Sequence, residues 1–190
     1  EQLPFEEKFM EEISNAISES IEKLVWQGDS IRTNEPDGFL KILETGGSGV
    51  VSVIWSAGTT AYNKIKAVYN AIPANIIDKD DTVIFVGEET YREFIQDLVA
   101  ANLYHFSPDY KAGEYMVPGT SIRVIAVNGL NGTGKIVAGR LSNFFYGVGA
   151  EDDKDTFDFW YSQDNREFRL AVYFAIALQV AYPNEIVLGK

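Results

Sequence analysis

The strongest chemical suggestion in the chain is Gly129-Leu-Asn-Gly-Thr-Gly134-Lys135. A glycine, four residues and then Gly-Lys is the spacing of a loop whose backbone N–H groups cradle phosphate while the lysine reaches the outer phosphates. A strand-like run precedes it. Two features oppose that chemistry. Position 136 is Ile, so no hydroxyl stands where Mg²⁺ would be held. Ile136-Val-Ala-Gly-Arg140 then continues as a strand, not as a helix whose N-terminus receives the anion. The segment reads better as a glycine-rich hairpin turn.

Other candidates weaken in the same way. Glu151, Asp152, Asp153 and Asp155 cluster oxygens of the kind Ca²⁺ prefers. They lack the glycine at the sixth and the glutamate at the twelfth position of a calcium loop, so they read as a solvated connector. Asp78, Asp80 and Asp81 sit before a strand and read as a polar turn. His105, the single histidine, could act as a base but reads as a cap on the last carbonyls of a helix. The aromatics Phe144, Phe145, Tyr146, Phe157, Phe159, Trp160, Tyr161, Phe168, Tyr173 and Phe174 suit ligand stacking, or more plainly sheet packing and a subunit interface. No catalytic, cofactor-binding or metal-binding residue emerges, and no cofactor is expected.

Composition narrows the classes further. The 190 residues are 46% hydrophobic and 23% charged, enough for a real core. The absence of cysteine excludes a disulfide scaffold, thiolate-held zinc, an iron–sulfur cluster and a Cys nucleophile. The net charge of −12 makes the chain a poor grip for nucleic-acid phosphates. Leu170–Ala181, the longest near-apolar run, is too short to span a bilayer. The chain starts at Glu1 without a Met or a charged-then-apolar leader, which reads as no signal peptide and as a fragment, a processed chain or a trimmed one.

The elements that must position these residues follow from periodicity. Phe5, Phe9, Ile13, Ile17, Ile21 and Leu24 recur at spacings of 4, 4, 4, 4 and 3. That is one helical stripe, widened by Met10, Ala16 and Val25. Pro4 suits its first turn, and Gly28-Asp29 ends it. Its opposite face is acidic: residues 1–29 hold eight acids and two lysines. A loop, a short helix near Phe39–Leu43 and an extended Val50–Trp55 come next. Helices are expected over Thr59–Ala71 and Glu88–Tyr104, with a buried strand at Thr82–Val86 between them. Strands are expected at 115–117, 121–127, 135–138, 143–148 and 156–161. Arg166–Tyr182 reads as one long strand rather than a buried helix. Helices first and strands last describe an α+β fold. Residues 4–27 are expected to pack on strands drawn from 140–182.

In this order the parts resemble the major capsid protein family of tailed bacteriophages, the Hong Kong phage-like capsid fold. Leu3-Pro-Phe-Glu-Glu-Lys-Phe9, running on to Leu24-Val-Trp-Gln-Gly-Asp29, resembles the family's spine helix and its Trp-x-Gly-Asp ending. Asp81–Phe94 resembles the strand and helix of its axial domain. Gly119–Val127 resembles the segment before the chain returns. Gly139–Gly147, Thr156–Tyr161 and Arg166–Tyr182 resemble the strands that rejoin the spine helix. The resemblance covers nearly the whole chain and lies in the order of the parts.

It implies a peripheral domain of residues 1–38 and 139–190, with the long spine helix against a C-terminal β-sheet. A central α/β axial domain would span 39–138. It implies a shell-forming subunit and not an enzyme, located in the virion and in the host cytoplasm during assembly. Partners would be further copies in hexamers and pentamers, a scaffold protein, and packaged DNA only indirectly, with no membrane. No N-terminal arm or extended hairpin loop precedes the helix, so a truncated subunit is expected, and no positions match the family's lysine–asparagine crosslink. The alternatives are a nucleotide-binding protein or enzyme using the Gly129–Lys135 turn, the shell of a bacterial compartment, or a tail or connector module.

Overall fold

The computed structural model describes residues 3–32, 34–45, 49–104, 114–148, 156–164, 166–173 and 175–190. Four helices, α1 (Leu3–Gln27), α2 (Phe39–Thr45), α3 (Ala61–Ala71) and α4 (Glu88–Ala100), accompany ten strands. Six strands form one mixed sheet in the order β1 (Val51–Val53), β10 (Val187–Gly189), β5 (Ile136–Arg140), β2 (Thr82–Val86), β4 (Arg123–Ala126) and β3 (Glu114–Met116). The fold is α+β.

The alternation along β2 explains the layering. Ile84 and Val86 turn to one face, where Ile65, Val68, Phe94 and Leu98 of α3 and α4 cover them. Val83 and Phe85 turn to the other, joining Trp26, Phe39, Leu40, Leu43 and Leu130. All five β2 residues are buried. A β-branched run without charge suits a strand covered on both sides. Helices α3 and α4 begin at signals the sequence carries. The Thr60 hydroxyl accepts from the Asn63 N–H at the start of α3, and Glu88 and Glu89 occupy the first turn of α4, where the helix dipole favours them.

Two expectations are corrected. α4 stops at Ala100 rather than running to Tyr104. Asn102 takes a left-handed φ of 54° and the Leu103 N–H donates back to the Leu98 carbonyl at 2.8 Å, so the chain turns off the helix. The single strand over 166–182 is two, β8 (Glu167–Tyr173) and β9 (Ile176–Val180). The strand β10, for which the sequence carries no expectation, lies between β1 and β5 in the central sheet. Val187 and Leu188 are fully buried there, one on each face.

The chain between β5 and β10 builds two antiparallel strand pairs, together called the ribbon. β6 (Phe144–Val148) pairs antiparallel with β9, and β7 (Thr156–Ser162) pairs antiparallel with β8. The pairs are nested. Eight positions separate Val148 from Thr156, and three separate Tyr173 from Ile176. In the outer pair, Phe157 stands opposite Val172, Phe159 opposite Leu170 and Tyr161 opposite Phe168.

The described contacts of α1 gather at its C-terminal end. Its firm support is the 3-10 turn Asn128–Leu130 together with α2. It reaches the segment 140–182 through Trp26, whose ring centroid lies 6.2 Å from that of Phe144. The side chains of Phe157, Phe159, Leu170, Val172 and Phe174, expected beneath the stripe, lie outside the described residues. Ile13, Ile17 and Ile21 are half-buried, whereas Glu11, Glu12, Asn15, Ser18 and Glu19 are exposed, as the stripe requires.

Candidate functional site at the joint of the long helix

The densest set of specific long-range contacts gathers where α1 ends. Trp26 is buried in an aromatic cluster, with ring centroids 5.6 Å from Phe39 and 5.1 Å from Phe85. Phe144 closes the cluster edge-on, 5.1 Å from Phe39 and 5.8 Å from Phe85. Edge-to-face and tilted geometries add to the area these rings bury. Gln27 follows with a different task. Its Nε2 donates to the carbonyls of Gly129 at 2.7 Å and Asn131 at 3.2 Å. One turn earlier, Glu22 Oε1 accepts from the Gly129 N–H at 3.1 Å. Gly129 must be glycine, because a Cβ there would collide with the Trp26 ring and the Glu22 carbonyl.

Gly28 and Gly38 bring two backbones into contact just beyond the helix. The Gly38 N–H donates to the Gly28 carbonyl at 2.9 Å. A Cβ on Gly28 would stand 2.5 Å from the Pro36 carbonyl, and one on Gly38 would stand 2.5 Å from the Gly28 nitrogen. Asp29 completes the turn through Lys41, whose Nζ lies 2.5 Å from Asp29 Oδ1 and 2.7 Å from Asp37 Oδ1. Lys41 and the Ser30 N–H hold the Asp37 carboxyl down at about 2. Lys41 likewise lowers Asp29, and the two carboxylates raise Lys41. Trp26, Gln27, Gly28 and Asp29 thus anchor the helix by four separate means.

The glycine turn belongs to this joint. Gly129 gives its N–H to Glu22 and its carbonyl to Gln27. The Thr133 hydroxyl donates to the Leu130 carbonyl at 2.7 Å and accepts from the Lys135 N–H at 3.2 Å. Lys135 Nζ lies 2.6 Å from Glu44 Oε1 on α2. The loop runs directly into β5, with no helix to receive a phosphate. Asn131 also reaches α4, because its Oδ1 accepts from the Glu88 N–H at 2.7 Å. The turn therefore ties the long helix to the start of α4.

The remaining candidates separate. Asp81 is bound by Arg140 Nε at 3.0 Å and by the Ser142 hydroxyl at 2.6 Å. Arg140 first, then Ser142, hold its carboxyl down at about 2. It clasps the start of β2 to the end of β5. Asp78 and Asp80 are both exposed. His105 and Glu151, Asp152, Asp153 and Asp155 lie outside the described residues. Among the described residues no group of three or more His, Asp and Glu side chains could hold a metal ion, and no helix is long and apolar enough to cross a membrane. Of the aromatics, Phe144 enters the joint, while Phe145, Tyr146 and Trp160 are exposed. Sequence reasoning missed Glu22 and Gln27. Both look like surface residues, and their partners lie 107 and 102 positions away.

No protein-family model matches the chain, and no curated protein sequence matches it. Solved structures do. The satellite phage P4 procapsid with its size determination (Sid) protein superposes with a TM-score of 0.66 at 11% identity, covering 98% of this chain and 63% of that one. The capsid of an empty GTA particle gives 0.64 at 13% identity, covering 97% and 65%. A chain of Mycobacterium phage Che8 gives 0.51 at 17% identity, covering 75% and 53%. The chain therefore spans about half to two-thirds of the length of these structures. At such identities the likeness is one of fold.

Proposed function

We propose that this chain, carrying the fold of phage capsid proteins, is a shell-forming structural subunit of a virion. The observation that supports the reading is superposition over 97–98% of the chain on two capsid structures. The joint supports it in physical terms. A shell works by holding each subunit in one shape while many weak contacts repeat. Here a helix of 25 residues, about 37 Å long, is fixed at one end by a buried tryptophan, a backbone contact between glycines and hydrogen bonds to the glycine turn. The rest of it presents an acidic outer face. Such a body is built to transmit position rather than to turn over a substrate.

In this reading the central sheet with α3 and α4 forms the axial part, and residues 187–190 belong with it. The peripheral part takes α1 and the ribbon 144–180. Self-association into hexamers and pentamers, a scaffold partner, indirect enclosure of DNA, and residence in the host cytoplasm before the virion belong to the same proposal. The nucleotide-binding alternative gains nothing from the glycine turn, whose Gly129 N–H and Lys135 are already engaged by Glu22 and Glu44.

Negative-stain microscopy and light scattering test the proposal, applied to this chain and to a coding product of the solved capsids' length that contains it. The longer product is expected to form closed shells or rings. A longer product that stays monomeric at micromolar concentration and above overturns the reading.

A further inference from the structure

Among the described residues, β6 pairs only with β9, so the other edge of Phe144–Val148 carries unpaired N–H and C=O groups. Natural edge strands are blunted by lysine, proline, a bulge or a cover. Leu141–Val148 contains no charged residue and no proline. Its apolar side chains stand in solvent instead: Phe145 is 53% exposed, Tyr146 49% and Val148 70%.

We propose that this edge is completed by the same edge of a second copy, paired antiparallel about a two-fold axis at Tyr146. The sequence is complementary to itself in that register. Phe145 falls opposite Gly147 of the second copy, Phe144 opposite its Val148, and Tyr146 opposite its Tyr146. Aromatic–aromatic and aromatic–β-branched neighbours are favourable cross-strand pairs, and an aromatic ring laid over an edge glycine fills the space its missing side chain leaves. Around Gly147 that space is open: a Cβ there meets nothing nearer than the Ala177 carbonyl at 3.6 Å.

Charge is compatible with the same place. Two chains of net −12 repel, and the stretch 141–148 adds no charge of its own to that repulsion. The apolar surface left open on Leu141, Phe145, Tyr146 and Val148 is roughly 400 Å² per copy, about half of what a stable stand-alone interface takes from each partner. The contact is therefore weak alone and effective when repeated.

The inference deepens the shell reading and rests on it for its purpose, but it fails separately. The chain has no cysteine, so one introduced thiol reports cleanly. In Tyr146→Cys the two thiols face each other across the axis. Directly paired Cα atoms stand about 4.5–5.5 Å apart, within the roughly 4.4–6.8 Å a disulfide spans. Under mild oxidation, disulfide dimers are expected at least about tenfold faster than in Gln179→Cys, an exposed position on the neighbouring strand β9. Adding Val148→Lys to Tyr146→Cys is expected to remove that excess. In the cysteine-free chain, Val148→Lys is expected to weaken self-association about tenfold by sedimentation equilibrium.

Equal rates for the two cysteine variants overturn the pairing. So does a rate unaffected by Val148→Lys, or a thiol in the Tyr146→Cys monomer that is shielded from reagents because another segment or protein covers the edge. Shells of Tyr146→Cys that form without the disulfide overturn the pairing alone, whereas disulfide dimers without shells overturn the shell reading alone.

Discussion

The end of the long helix and the ribbon at 144–180 share the residue Phe144 yet are built on opposite plans. At the helix end, buried rings, close-packed glycines and paired carboxylates leave little freedom. Along the ribbon there are two strands, an open edge and large apolar side chains in water. A two-stranded hairpin is marginal by itself. The difference teaches that one region fixes the chain's own shape, while the other has the open edge that the proposed pairing would complete.

The largest way to break this comparison is at Trp26. Trp26→Ala removes the centre of the aromatic cluster and is expected to cost about 3–5 kcal/mol, read by urea unfolding. Gly129→Val, which drives a side chain into the same ring, is expected to cost about 1–3 kcal/mol or somewhat more. Gln27→Ala leaves two carbonyls of the turn unpaired in a half-buried place and is expected to cost about 1–3 kcal/mol. Amide exchange should rise at Glu88, because the turn loosens at both ends. A Gln27→Ala variant with unchanged exchange at Glu88 would show that the turn does not link α1 to α4.

The carboxylates give a pH signature. Asp37 and Asp81 have folded values of about 2, below the ordinary 3.8. A depressed carboxyl stabilises the fold fully above its unfolded value and loses that contribution as pH falls through the folded one. Stability is therefore expected to be flat in this respect above about pH 5 and to drop between about pH 4 and 2. Asp81→Asn, measured by thermal melts across that range, should flatten part of the drop.

The smallest stability effects belong to the ribbon and the exposed helix face. Phe145→Ser and Glu19→Ala are each expected to change stability by about 0.5 kcal/mol or less, the first while weakening self-association. Lys135→Ala should leave nucleotide binding undetectable in both variant and parent by calorimetry. Micromolar ATP binding by the parent, lost in the variant, would restore the enzyme alternative.

Much of this architecture is readable in the residues. The stripe from Phe5 to Leu24 gives α1, and the charge-free run Thr82–Val86 gives the central strand. The alternation from Phe168 onward gives strands rather than a helix. What could not be read depends on partners distant in sequence. Val187-Leu188-Gly189 is too short to show a period, and only its neighbours β1 and β5 make it a core strand. The end of α4 turns on one left-handed Asn102, a conformation that asparagine permits but does not announce. Glu22 and Gln27 carry the joint, yet each is an ordinary polar residue on a helix. The Trp26-Gln-Gly-Asp29 ending is visible as a pattern, but its four anchors appear only when residues 36–41 and 128–131 are brought beside it.

Hydrogen exchange on the free chain and on its assembled form tests the account most directly. The account expects β2, β5 and the 128–131 turn to be protected in both states, with residues 144–148 exchanging quickly in the free chain and slowly once assembled. Failure of the longer, capsid-length product to assemble, or an assembly in which 144–148 exchanges as fast as before while protection is gained only in the central sheet, would contradict it.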